Sequence, residues 1–229
     1  NPEQASTVTL QPITRYGFDA AILFSDILIV PWALQRNVRF KPNVGPLLDS
    51  MQSPKAIEQS LIENLPQKLA PVGEALRLTK SNLPTETALI GFAGAPWTVM
   101  TYVVEGGSSR DFAITREWAW KYPKQVDALL GSLIESTISF LSLQASAGAD
   151  ALMLFDSWAS AVPAAQRDWL VTRPAKLIIE GLRKKGHKQP VVGFPKGIGE
   201  GLITYVEQSG VGAVGLDYGV DPVWGEGGG

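Results

Sequence analysis

The stretch Ala20-Ala-Ile-Leu-Phe24, followed at once by Ser25-Asp26, decides how the fold is read. It is a near-continuous apolar run rather than an alternating one, as expected for a strand of a parallel sheet covered on both faces. Four further segments share the form: Ala88-Leu-Ile-Gly-Phe92, Ala151-Leu-Met-Leu-Phe155, Pro190-Val-Val-Gly-Phe194 and Ala213-Val-Gly-Leu216. Each is followed by acidic, Gly or Ser-bearing residues and then by a helical pattern.

The clearest helix is expected from about Lys124 to Ala147. There Val126, Leu129, Leu130, Leu133, Ile134, Thr137, Ile138 and Leu141 recur three and four residues apart and make one apolar stripe. Gly148 is placed to cap it in the left-handed conformation. A second helix is expected over Val72 to Ser81. Ser53-Pro54 reads as a helix N-cap with Pro in the first turn. Between Arg39 and Asp49, the Pro42-Asn43 and Gly45-Pro46 turns predict a small inserted hairpin. Strand and helix alternate with no break in composition, so residues 1–229 read as a single α/β domain with a Gly-rich tail at 225–229. A doubly wound sheet is the alternative to a (β/α)8 barrel. No Gly-x-Gly-x-x-Gly follows a strand, and Gly197-Ile-Gly199-Glu-Gly201 has the wrong spacing.

Composition narrows the function classes. The 229 residues are 45% hydrophobic and 18% charged, with 23 Gly, 16 Pro and a net charge of −2. No long basic run supports nucleic-acid binding. No stretch approaches ~18 uninterrupted apolar residues, and the best candidate, Ala20 to Leu34, is broken by Asp26 and Pro31, so no membrane span is expected. Cys is absent, which excludes disulfides and thiolate chemistry and fits a reducing compartment. The one His, His187, sits in Lys184-Lys185-Gly186-His187-Lys188 and is expected in a solvated loop, leaving no zinc site. The chain opens at Asn1 rather than Met, so the native N-terminus is expected upstream.

Candidate chemistry gathers at strand ends. Asp26 lies between two apolar runs, where a carboxylate must find hydrogen bonds or a partner. Two readings stand side by side: a cap on the following helix, or an anion waiting in a dry pocket at the C-terminal face of a barrel. Tyr102 falls on the helix or loop after the second strand, before Gly106-Gly107, which is expected to permit a mobile loop. Ser157, after the third strand, has no neighbouring His base and reads as a hydroxyl donor rather than a nucleophile. Asp217 ends the fifth strand as a ligand contact or a helix cap. Phe92, Phe155 and Phe194 close three strands, either walling an apolar pocket or filling the barrel.

Together these strings resemble uroporphyrinogen decarboxylase. The matching stretches are Asp19-Ala-Ala-Ile-Leu-Phe-Ser-Asp-Ile-Leu28, Leu89-Ile-Gly-Phe-Ala-Gly-Ala-Pro-Trp-Thr98 with Thr101-Tyr-Val-Val-Glu-Gly-Gly107, Phe155-Asp-Ser-Trp158, and Val214-Gly-Leu-Asp217. The resemblance runs to about Pro222. It implies a (β/α)8 TIM barrel, incomplete here with about five of eight strands, that is cytoplasmic, homodimeric and free of cofactor and metal. It further implies a tetrapyrrole substrate, uroporphyrinogen, whose four acetate side chains are decarboxylated to give coproporphyrinogen. On that resemblance Asp26 and Tyr102 are catalytic, while Ser157, Phe92, Phe155, Phe24 and Ser25 bind substrate.

The family's Arg-rich motif on its first strand, and the His near its C-terminus, have no counterpart in this chain. Arg36, Arg39, Arg110 and Lys196 are the nearby candidates to meet substrate carboxylates, although solvation is their plainer role. This stretch alone is therefore expected to be inactive. A corrinoid-dependent methyltransferase of the same superfamily is one alternative, disfavoured by the missing His and Cys ligands. A non-catalytic porphyrin-binding relative is another, disfavoured by Asp26 and Tyr102.

Overall fold

The computed structural model describes residues 1–42 and 45–220. The Gly-rich tail and Asn43 of the expected turn lie outside them. In chain order the elements are α1 (Pro2–Tyr16), β1 (Ala20–Ile22), α2 (Ile29–Ala33), β2 (Arg39–Lys41), β3 (Gly45–Leu47), α3 (Gln59–Glu63), α4 (Leu65–Lys68) and α5 (Ala70–Asn82). They continue as β4 (Ala88–Gly94), α6 (Pro96–Glu105), α7 (Ala113–Lys121), α8 (Pro123–Ser146), β5 (Ala151–Asp156), α9 (Arg173–Lys184), β6 (Val191–Pro195), α10 (Gly201–Ser209) and β7 (Ala213–Val214).

All five expected strands form, in one parallel sheet of order β1-β4-β5-β6-β7. Each crossover carries helices, as parallel pairing requires. The arrangement is five consecutive strands of a (β/α)8 barrel with the helices of the four crossovers between them, and the arc is not closed among the described residues. The expected hairpin is present as β2 and β3, paired antiparallel.

The helices cover one face of the arc. Leu89, Leu152, Leu154 and Val191 point into them and are fully or almost fully buried. Their neighbours in the pleat face the concave side, so β5 and β6 alternate in burial. Burial on both faces, expected from the continuous apolar runs, does not hold among the described residues. Ile22 is 39% exposed and Phe24 79% exposed on the uncovered side.

Helix α8 is the spine of the core. Its stripe of Val126, Leu129, Leu130, Leu133 and Leu141 is buried as the periodicity predicts, and Gly148 follows at a positive φ of 107°. Among the described residues it is the one helix long and apolar enough to cross a membrane, but half of its apolar window is buried inside the fold. Helix α5 matches the second predicted helix. No helix starts at Pro54: residues 54–58 run without regular structure, and α3 begins at Gln59 without a side-chain cap. Instead the Ile57 N–H reaches across to Ser132 Oγ on α8 at 3.0 Å. A tertiary hydrogen bond thus replaces the local cap. Helix α1 escaped the sequence reading. Its N-cap is Asn1, whose side chain accepts from Glu3 N–H at 2.9 Å.

One polar contact repairs the ladder. In a parallel strand the N–H and C=O of a residue point to the same side. On β4 the even-numbered residues point toward β1, which pairs only as far as Ile22 with Ile90. The next such residue, Phe92, therefore has no strand partner for either group. Gln144 of α8 supplies both: its Oε1 accepts from Phe92 N–H at 2.9 Å and its Nε2 donates to Phe92 O at 2.8 Å. Gly91 makes room for it, since a Cβ there would lie 2.8 Å from Gln144 Oε1.

Replacing Gln144 with Met in the full-length protein leaves two buried backbone groups unpaired, at a cost of roughly 2 to 5 kcal/mol. Urea unfolding measures it; an unchanged midpoint would show that those groups find other partners.

Candidate functional site

The strand C-termini all emerge at one end of the arc, bringing the Asp26 loop, the N-terminal half of α6 and the β5 turn together. Asp26 sits in the loop between β1 and α2. Its Oδ1 accepts from Leu28 N–H at 2.8 Å, and its carbonyl accepts from Ile29 N–H at 2.9 Å. This tight turn leads into α2, but the cap residue of that helix is Leu28 and no side chain caps it, so the capping reading does not hold. The turn fixes the carboxylate's direction, while Oδ2 has no hydrogen-bond partner among the described residues. Asp26 is half-buried, beside a β1 that is the edge strand with no strand on its far side among the described residues. The dry pocket expected around it is not enclosed by the described residues.

The neighbouring Ile27 docks on α6. A Cβ on Gly94 would come within 2.9 Å of Val99 and 3.1 Å of Ile27. Only a glycine at this strand end lets the Asp26 loop and the first turns of α6 close together. Tyr102 lies two turns into α6, half-buried and packed against the main core. Ser157 follows β5, also half-buried. No hydrogen bond joins Asp26, Tyr102 and Ser157 among the described residues.

Four aromatic rings make a continuous wall on the concave side. Phe24 lies 6.5 Å from Phe92, Phe92 5.5 Å from Phe155, and Phe155 6.0 Å from Phe194, between ring centroids. The last two pairs meet edge to face, the arrangement favoured by ring quadrupoles. Phe92 is buried, Phe155 and Phe194 are half-exposed, and Phe24 is open. Ser25, beside Phe24, is half-buried.

The loop after α6 is tied down rather than left free. Gly106 caps α6 in the left-handed conformation at φ 81°, and Gly107 bridges to Leu47 of the hairpin. Glu105 accepts from Thr115 N–H at 2.9 Å and from its hydroxyl at 2.8 Å. Phe112 is buried with its ring 5.1 Å from that of Trp158. Long-range contacts override the local freedom of Gly106-Gly107.

Asp217 serves the loops. Its Oδ2 accepts from Gly197 N–H at 2.6 Å and its Oδ1 from Gly219 N–H at 2.8 Å, so it staples the turn after β6 to the end of β7. Arg39 is paired with Asp49 at 2.7 Å, while Lys196 remains exposed at the mouth. His187 is half-buried, with Nε2 2.6 Å from Ser142 Oγ, rather than solvated as its lysine-rich setting suggested. No group of three metal-ligating side chains converges among the described residues.

Asp156, the last residue of β5, was missed by the sequence reading. It is 3% exposed, and Thr98 of α6 donates to its Oδ1 at 2.5 Å. Burial pushes its pKa up to about 7, partly opposed by the Thr98 hydrogen bond. The signal was present: Leu152, Leu154 and Asp156 share the helix-facing phase of the strand.

The family model described as uroporphyrinogen decarboxylase matches residues 1–226. Curated uroporphyrinogen decarboxylases from Maricaulis maris and Rhodospirillum rubrum are 45% and 46% identical over 98% and 97% of this chain. The chain spans 65% and 64% of their respective lengths. Among solved structures, a methyltransferase from Methanosarcina mazei is similar with a TM-score of 0.75 at 16% identity, covering 94% of this chain and 63% of that one. At that identity the likeness concerns the fold alone. With the parallel arc, the aromatic wall and near-continuous matches at this identity, the chain belongs to the uroporphyrinogen decarboxylase family.

Proposed function

We propose that this chain is part of a cytoplasmic, homodimeric uroporphyrinogen decarboxylase. It would bind the tetrapyrrole against the aromatic wall and remove carboxyl groups from its four acetate side chains, giving coproporphyrinogen. The observation that carries the reading is the wall of Phe24, Phe92, Phe155 and Phe194 at the strand C-termini. It belongs to a chain that matches decarboxylases along nearly its whole length.

Loss of carbon dioxide leaves an electron pair that needs a sink. Protonation of the pyrrole α-carbon adjacent to the ring carbon that carries the acetate makes the ring that sink. The electrons of the breaking C–C bond flow into the ring, the exocyclic methylene is then protonated to a methyl group, and the ring proton departs. The two protonations place positive charge on the pyrrole. In this reading Asp26 accepts from the pyrrole N–H groups through the oxygen not used by Leu28, and stabilises that charge. An apolar surround strengthens the effect, because little solvent competes for the carboxylate. Tyr102 orients Asp26 or donates to a substrate carboxylate. Ser157 donates to a carboxylate side chain, with Ser25 and the phenylalanines shaping the floor. No cofactor or metal enters the scheme. The stretch by itself is proposed to be inactive, since the family's Arg motif and C-terminal His have no counterpart within it.

In the full-length protein, Asp26→Asn should keep the fold and lower decarboxylation on the order of 10²- to 10³-fold, read as coproporphyrinogen formed per unit time. Turnover like that of the wild type would sink this mechanism. Tyr102→Phe removes one hydrogen bond and should cost roughly tenfold or less; complete loss of turnover would assign Tyr102 a larger part than orientation.

A further inference from the structure

Asp156 and Thr98 form a buried polar joint that the scheme above does not use. Thr98 is wholly buried in the first turn of α6. Its hydroxyl donates to Asp156 Oδ1 at 2.5 Å and accepts from Trp158 N–H at 3.1 Å. One residue earlier on the same helix, Trp97 Nε1 donates to Trp158 O at 2.9 Å. Both backbone groups of Trp158 are thereby fastened to α6. The Asp156 carbonyl accepts from Lys196 N–H at 3.1 Å, which ties the same turn to the end of β6. Ser157 lies between these fixed points, with backbone anchors on either side.

We propose that Asp156 is a positioning residue that acts through Thr98 to lock the Ser157–Trp158 turn onto helix α6, and so sets where Ser157 meets a substrate carboxylate. This rests on the decarboxylase reading for the substrate, but not for the joint itself. Geometry supports a specific role. A buried carboxylate costs free energy unless it is paired, and no basic side chain pairs with Asp156 among the described residues. The ionisable group facing it is Tyr205 of α10, buried and pushed upward by that burial and by the charge of Asp156. An apolar residue at position 156 would avoid the cost but would leave the Thr98 hydroxyl unable to serve both the strand and the turn.

The joint is also sensitive to pH. With its folded pKa raised to about 7, Asp156 holds a proton at pH values where the unfolded chain has released it. Its stabilising contribution is present at low pH, is lost as pH rises towards 7, and no longer changes above that. The Tm of Asp156→Asn minus that of the wild type should therefore grow between pH 5 and 7 and level off beyond. A difference that stays constant across this range would contradict the ionisation.

The deciding experiment compares Asp156→Ala, Asp156→Asn, Thr98→Val and Thr98→Ser in the full-length protein, by steady-state kinetics with uroporphyrinogen and by hydrogen exchange at the Trp158 amide. Thr98→Val and Asp156→Ala should each raise KM about tenfold with kcat little changed, and should speed exchange at Trp158 about tenfold. The double variant should be little worse than either single one, and Thr98→Ser should recover most of the loss seen with Thr98→Val. If an alanine variant unfolds, Asp156→Asn and Thr98→Ser carry the comparison. Unchanged exchange at Trp158, or effects that multiply independently in the double variant, would overturn the proposal. A wild type that does not turn over uroporphyrinogen would count against the functional reading alone, because the exchange measurement decides the joint without it.

Discussion

In a parallel strand both backbone groups of a residue face the same neighbour, so a partner strand that ends early leaves its neighbour's polar groups unpaired two at a time. This happens at Phe92, where β1 has already left the ladder. The remedy is Gln144, whose amide fits the paired donor and acceptor of one peptide residue. Much else follows from that contact. It holds α8 against β4 and demands a glycine at position 91. It also leaves the chain after Ile22 free to turn away, with Phe24 brought beside Phe92 on the concave side.

The two acidic residues at the strand ends differ in what their surroundings do to them. Asp26 is half-buried and its carboxylate is held by a neighbouring backbone N–H. Asp156 is buried under helices, meets a threonine hydroxyl, and is driven toward its neutral form. The first lies in an open loop, where water can solvate its charge. The second faces the helical layer, where charge is costly and a hydrogen bond is worth more. Their phase along the chain, rather than their residue type, separates a candidate ligand group from a structural one.

Between them the aromatic wall gives the concave face its character. Its rings come from four neighbouring strands or their extensions. Phe155 and Phe194 are register partners, whereas Phe92 pairs with Met153, two residues before Phe155, so the wall steps up between β4 and β5; edge-to-face packing keeps three of the rings in contact.

Sequence by itself determined the strand count, the parallel class, the hairpin, the long helix α8, the positions of Asp26 and Ser157 just beyond strands, and that of Tyr102 in the segment after β4. Those features are written in periodicity, in turn residues, and in strings that span nearly the whole chain. Tertiary structure decided what depends on distant partners. Ser53-Pro54 carries a local start signal that no helix follows, because Ile57 is held by Ser132 on α8. Gly106-Gly107 looks free but is fixed by the hairpin and by Phe112 on Trp158. His187 looks solvated but finds Ser142. Gln144 and Asp156 look ordinary until the fold brings Phe92 and Thr98 to them. Local propensity and apolar pattern can be read along a chain, but a hydrogen bond between residues more than fifty positions apart exists only once the chain has folded.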